Sequence, residues 1–368
     1  MRVDDTVPGH LRLIEDGVVL IDYVHAPTEP QLESPRPYAL LAALDGRSAT
    51  GYRPGDHVWH KGLSLALPDV GPDNFWGGPT YVRGQGYVQL PNNGAQVHRG
   101  FDRIGPLAPG SRTTPTTPVD PAHPVPPIDP TTPTSPDSRL APTVHTIPTS
   151  RAAPTAQPPP SPPATPLAPA DWGSGVELTE RLDWVTQPGR TIMSETRRLT
   201  ARRLAQDAWA LTWHSRLTNL SSAPLAFGSP TAHGRDNAGY AGLFWRGPEH
   251  FTGGVIIGPN GPVGDAARGT AGPWLAFLAP PGPDSRSGPV GLLMVDAQPG
   301  GPHPWFARSE EYAGLCPAPF FYAETIVEPE ADLKLAAVLV VGGPSVLDHL
   351  AAATALAADL TEDPQETP

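Results

Sequence analysis

Apolar and polar residues alternate along most of this chain, and a period of two predicts strands. Residues 11–15 and 18–24 flank Asp16-Gly17, a two-residue hairpin signal. A strand over 38–44 ends at a second Asp-Gly, Asp45-Gly46, and strands over 81–90 and 95–104 flank Asn93-Gly94. Farther on, Val176, Leu178, Leu182 and Trp184 share one face, against Glu177, Thr179, Arg181 and Asp183 on the other. Gln187-Pro188-Gly189 turns the chain into a strand beginning at 191. Trp209, Leu211, Trp213 and Leu217 then alternate with Thr212, His214, Arg216 and Thr218. Further strands are expected over 254–257, 274–278, 290–296, 320–327 and 333–341. One helix is expected near the C-terminus, where Val346, Leu350, Ala353, Ala357 and Leu360 recur at helical spacing behind a Ser345-x-x-Asp348 capping box. About a dozen short strands at hairpin spacing, with one terminal helix, predict an all-β fold, a large antiparallel β-sandwich.

The alternation stops over 105–170. Those 66 residues hold 21 of the 51 prolines and no Phe, Trp or Tyr. A segment that buries so little apolar surface cannot offset its ordering entropy, so a disordered, polyproline-like insert is expected. Closing a loop ten times longer than usual costs about 2 kcal/mol, which a large core tolerates. The expected organisation is one discontinuous sandwich domain, 1–104 with 171–360, then a polar tail over 361–368. Two domains joined by a linker are the alternative.

The net charge of −12 belongs to the folded part, because the insert carries three Arg and three Asp. An acidic surface argues against nucleic-acid phosphates and anionic membranes as partners. Only Lys61 and Lys334 stand against 23 arginines, a bias that keeps single arginines from being read as phosphate clamps. The lone Cys316 permits no internal disulfide and no CxxC zinc site, and reads as a buried small hydrophobe. Without a signal peptide or a membrane-length apolar run, a cytoplasmic location is expected.

Candidate chemistry gathers in four places. The stretch 51–87 sets Asp56, His57, His60, Asn74 and Arg83 among Trp59, Phe75, Trp76 and Tyr81. Two histidines and a carboxylate suit proton transfer or a transition metal, and both histidines can serve one site only if the segment curls. It is not HExxH, and no metal is assigned. Trp76 with Gly77-Gly78 suits stacking on a flat ligand. A second block, 231–240, crowds His233, Arg235, Asp236, Asn237 and Tyr240 into a glycine-flanked loop, with 242–246 behind it. A third, 304–312, adds Arg308, Glu310 and Glu311, with Glu310 or Glu311 as a candidate acid–base partner of a histidine and an Arg308–Glu surface pair as the plainer outcome. His214 reads as solvent-facing. No phosphate-binding or serine-hydrolase motif occurs, and the sequence names no cofactor.

Taken together, the motif Tyr52-Arg53-Pro54-x-Asp56-His57-x-Trp59-His60-x-Gly62-Leu63, the block 74–83, the block 232–240 and Cys316-Pro317-Ala318-Pro319-Phe320-Phe321 resemble a bacterial family of soluble proteins labelled methane oxygenase PmoA, or PmoA-like. The resemblance runs through nearly the whole folded part and omits the proline-rich insert. It departs at two positions, Leu40 and Lys61, where relatives tend to carry histidine. A particulate methane monooxygenase subunit would be embedded in a membrane, so the oxygenase label reads as an artefact of naming. The resemblance implies a carbohydrate-associated β-sandwich similar to the galactose-mutarotase supersandwich. The expected ligand is a small polar molecule of the sugar class. His57, His60, His233, Asp236 and Glu310 would be the acid–base groups, and Asp56, Trp59, Asn74, Trp76, Arg83, Arg235, Asn237 and Tyr240 the binding groups. A non-catalytic sugar-binding sandwich and a metal-dependent oxidoreductase are the alternatives.

Overall fold

The strand Asp332–Gly342 is apolar at every position from Leu335 to Val341, and both of its faces are covered. Leu335, Ala337, Leu339 and Val341 point into the main core, while Ala336, Val338 and Val340 point the other way, toward Ala353, Leu356 and Ala357 of the helix Leu350–Thr361. Its neighbour Trp209–Asn219 divides alike, with Trp209, Leu211, Trp213 and Leu217 inward and Ala210 under the helix. A continuous apolar run, rather than alternation, is what a strand between two layers requires.

These features come from a computed structural model that describes residues 1–107, 175–281 and 288–361. Among the described residues two large antiparallel sheets dominate. The first has eight strands in the spatial order Arg2–Asp4, His10–Glu15, Val18–Val24, Tyr38–Leu41, Leu63–Ala66, Gly242–Arg246, Gly314–Pro317 and Trp305–Arg308. The second has nine, in the order Gly261–Pro262, Val255–Gly258, Trp274–Leu278, Gly291–Asp296, Asp332–Gly342, Trp209–Asn219, Thr191–Arg203, Gly175–Val185 and Ala95–Pro106. One core joins their facing sides, with Leu11, Leu13, Ile21, Leu63, Leu65 and Trp245 from the first sheet against Trp184, Trp209, Leu211 and Leu339 from the second. The architecture is a β-sandwich with one C-terminal helix.

Several expected elements differ in detail. Asn93-Gly94 does not turn a hairpin. The strand 95–106 pairs instead with Gly175–Val185, and the segment before it forms a small ribbon, Thr80–Val82 with Gly86–Val88. Gly94 serves close packing, because a Cβ there would lie 2.3 Å from the Phe75 ring. Only Thr325–Val327 of the expected strand 320–327 is extended, while Phe320 and Phe321 are buried in a turn. The Ser345 capping box does not form. Ser345 Oγ donates to Asp207, and a 3-10 turn over Val346–His349 leads into the helix. Pro106 pairs with Val176, so the chain re-enters the sheet beside the strand it left. The proline-rich insert from 108 and the tail from 362 lie outside the described residues.

Candidate functional site

The loop between Thr50 and Gly62 is folded by its own backbone. His57 N–H donates to Pro54 O, His60 N–H to His57 O, and Arg53 N–H closes back on His60 O. Arg53 takes a left-handed conformation, φ 44°, to make the bend. These turns bring positions 57 and 60, which would oppose each other on a strand, onto one face. Their imidazoles stack in parallel, 4.6 Å apart and 7° from coplanar.

A charged chain runs through the pair. Asp56 Oδ2 lies 2.8 Å from His57 Nδ1, and both carboxylate oxygens lie 3.3 Å from Arg246 Nη2. Arg246 Nη1 donates to His60 Nδ1 at 3.1 Å. That bond requires an unprotonated Nδ1, which places the proton of neutral His60 on Nε2. Burial, reinforced by His57 and Arg246, holds the His60 pKa well below the usual histidine range. Burial would raise the Asp56 carboxyl, but the His57 hydrogen bond and the Arg246 charge outweigh it and lower the pKa. Arg246 also lies over the Tyr312 ring, 3.9 Å from its centroid, and burial pushes the Tyr312 hydroxyl up to about 12. His57 and Asp56 are about two-fifths exposed, whereas His60 and Arg246 are buried.

Beneath this chain lies an aromatic floor. Trp76, Phe244, Phe306, Tyr312, Cys316 and Phe321 form one buried cluster, and Trp59 and Tyr240 pack at its margin. The His60 ring touches Trp76, Phe244 and Tyr312 at 5.7, 4.9 and 5.7 Å between centroids. Trp59 rests directly on the backbone of Gly77 and Gly78, where a Cβ would come within 2.6 and 2.8 Å of it. Asn74 shapes this corner and has no capacity left for a ligand. Its Oδ1 accepts from the backbone of Trp76 and Gly77, and its Nδ2 donates to Gly78 O and Thr80 Oγ1. The binding role expected of Asn74 is therefore replaced by a scaffolding one.

The second block reaches the same floor. The Tyr240 ring packs at a tilt against Trp76, 4.5 Å between centroids, and edge-on against Phe306 at 5.5 Å. Its hydroxyl lies 2.7 Å from that of Tyr87, to which Arg235 also donates. Beyond them His233 Nε2 faces Asp69 at 3.5 Å and Glu324 at 3.6 Å, and the Arg83 Nε–H donates to His233 O. Burial, tempered by His233, pushes the Asp69 carboxyl up to about 6. Burial also raises the Tyr87 hydroxyl, which is close enough to feel Arg235, Asp69 and Arg308. The blocks around 57 and 308 meet at Tyr312, and the second block joins the same aromatics through Tyr240. Asp236, Asn237 and Glu310 are exposed to solvent. Asn237 takes a left-handed backbone, φ 54°, which marks it as a turn residue. Glu311, not Glu310, pairs with Arg308.

Other polar groups here were given no role from the sequence. Arg246 ends the apolar strand Gly242–Arg246, a charge at a buried position. Lys61 is fully buried, 3.5 Å from Glu33 and 3.8 Å from Glu29. The Leu40 side chain packs against the adjacent Gly62, so the two positions that depart from the resemblance are neighbours in the fold. A second network crosses the core. Glu195 receives Arg197, Trp184 and Ser215, while Arg197 also donates to Tyr23 and Gln96, and Tyr23 in turn donates to Glu180, which holds His98 Nδ1 at 2.6 Å. Its signal was Glu180, Glu195 and Arg197 at inward parity in strands whose other inward residues are mainly apolar.

Among the described residues no group of three His, Cys, Asp or Glu side chains is placed to hold a metal ion. A cleft of ≈ 410 Å³ elsewhere is lined by Asp16, Asp45, Arg47, Arg203, Asp207 and Ser345, which pair with one another. Among the described residues no helix is long and apolar enough to cross a membrane.

Fold and site together define an antiparallel β-sandwich that carries a histidine-bearing loop over an aromatic floor. By sequence the chain belongs to DUF6807, a family of unknown function, matched over residues 10–116 and 168–355. No curated protein matches it. Among solved structures it is similar to a protein described as "a putative aldose 1-epimerase" from Klebsiella pneumoniae subsp. pneumoniae MGH 78578, with 11% identity and a TM-score of 0.25. The likeness spans 51% of this chain and 56% of that one, about half of each, and at this level it says nothing about chemistry.

Proposed function

We propose that the surface around His57 binds a small polyhydroxylated ligand of the sugar class and that His57 moves a proton on it. The observation that carries this reading is the Arg246–Asp56–His57 chain. A carboxylate on Nδ1 fixes the ring and its tautomer and leaves Nε2 as the basic nitrogen, the arrangement by which histidine acts as a general base. Buried Arg246 holds the carboxylate charged, and His60 stacks behind the ring to fix its plane. Trp59 and Tyr87 offer partly exposed ring faces on which a sugar ring can lie. The reaction suited to this equipment is proton transfer at a hydroxyl or at a carbon beside a carbonyl. The test is incubation with aldoses and keto-sugars in D2O, following anomeric and α-carbon protons by NMR. Exchange on at least one sugar is expected, slowed about a hundredfold or more in Asp56→Asn. Undiminished exchange in Asp56→Asn, or neither exchange nor binding with any sugar, would overturn the reading.

A non-catalytic sugar-binding sandwich is favoured by one observation, the openness of Asp56 and His57 to solvent, which leaves water free to compete with a base. It predicts ligand-induced thermal stabilisation with no exchange at any position.

A further inference from the structure

We infer that the sugar taken by this site carries a carboxylate, that Arg308 reads it, and that Glu311 holds its place in the free protein. The inference rests on the reading of the site as sugar-binding and specifies the ligand further. Arg308 lies on the aromatic floor, 5.5 Å from the Tyr312 centroid and 5.6 Å from that of Phe306. Arg246 shares the Tyr312 ring, but its two terminal nitrogens are committed to His60 and Asp56. Arg308 is differently placed. Its side chain is 15% exposed, its ion-pair partner is Glu311, and its Nε is enclosed without a hydrogen-bond partner. The Glu311 side chain is 70% exposed. An ion pair whose carboxylate is open to water contributes little and is readily exchanged.

A ligand carboxylate held in position by its stacked ring gives up less freedom than the mobile Glu311 side chain, and it can offer both oxygens to the guanidinium fork. The surrounding charge points the same way. The protein carries −12 overall, so an anionic sugar needs a local positive field, which Arg235, Arg246 and Arg308 provide. A single carboxylate suits the site better than a phosphate dianion, because Glu311 pairs with Arg308 and the Asp56 carboxylate is held by Arg246 on the other side of the Tyr312 ring.

The test is calorimetric titration of the full chain with matched pairs, glucose with glucuronate and galactose with galacturonate, and with glucose 6-phosphate as a separate arm. Each uronate is expected to bind about tenfold or more tightly than its aldose. In Arg308→Gln the uronate-to-aldose ratio should fall to about one, and in Glu311→Gln it should rise, because the competing carboxylate is gone. Equal binding of aldose and uronate, a ratio that survives Arg308→Gln, a ratio unchanged by Glu311→Gln, or preference for the sugar phosphate would overturn the inference while leaving the sugar site standing. Binding of none of these sugars would overturn the site reading itself, and the inference with it. Glu311 is exposed, so its substitution leaves the fold intact and keeps the test decisive if Arg308→Gln fails to fold.

Discussion

Lys61 is fully buried beside His60, and its amine should couple stability to pH in a direction opposite to the usual loss of stability in alkali. Burial and the nearby Arg36 charge depress its pKa from 10.5 to about 8, against the support of Glu29 and Glu33. In the unfolded chain the amine keeps its ordinary value. Between pH 8 and 10.5 the unfolded state therefore binds more protons than the folded one, and stability rises with pH in that window. A shift of this size, read at one pKa unit per about 1.4 kcal/mol, amounts to about 2–3 kcal/mol gained between pH 7 and pH 10. Lys61→Met keeps the volume and removes the titration. Urea unfolding of both proteins from pH 7 to 10 isolates the effect, because other groups contribute nearly equally to each. The parent should gain about 2–3 kcal/mol on the variant across the range, with most of the gain above pH 8. A difference that stays flat, or that falls with pH, would refute the assignment of a depressed amine at Lys61.

Three further outcomes are expected. Gly78→Ala forces a Cβ to within 2.8 Å of the Trp59 ring at a backbone φ of 69°, so chemical denaturation should show a loss of about 2 kcal/mol or more. Glu195→Ala strips the fully buried Arg197 of its bidentate partner and should cost about 3–5 kcal/mol, whereas the double change Glu195→Gln with Arg197→Met should recover much of it. Asn74→Ala frees the backbone N–H groups of Trp76 and Gly77 together, so thermal unfolding should fall and sugar affinity should fall with it.

Period-two patterning made the sandwich legible, because half-buried antiparallel strands announce themselves. Asp16-Gly17 turned its hairpin as its residues require, with φ values of 51° and 83°. Asn93-Gly94 carried the same signal but answered a different demand, contact with the Phe75 ring, which no local pattern encodes. The histidine loop was visible as chemistry, yet its curl depends on backbone bonds between Arg53, Pro54, His57 and His60 that spacing alone leaves open. Arg246 at a strand end and Tyr312 in the bend before Gly314 complete the site from far along the chain, and only the fold sets a guanidinium against an imidazole nearly two hundred residues away. Glu180, Glu195 and Arg197 were detectable as charges at inward parity. Their partners were not, since Tyr23 reaches them from the opposite sheet.

The central claim is that a sugar lies against the partly exposed Trp59, with the buried Trp76 packed on the same glycine corner and on His60. The indole N–H groups give the most direct reading. Those of Trp184, Trp209, Trp213, Trp245 and Trp305 are bonded inside the protein, to Glu195, Ala42, Ser215, Ala49 and Gly272. In a proton–nitrogen NMR titration with glucuronate and galacturonate, the Trp59 and Trp76 indole signals should shift together with saturation while those five stay in place. Saturable binding that leaves Trp59 and Trp76 unmoved, or that shifts the five enclosed indoles instead, would contradict the account.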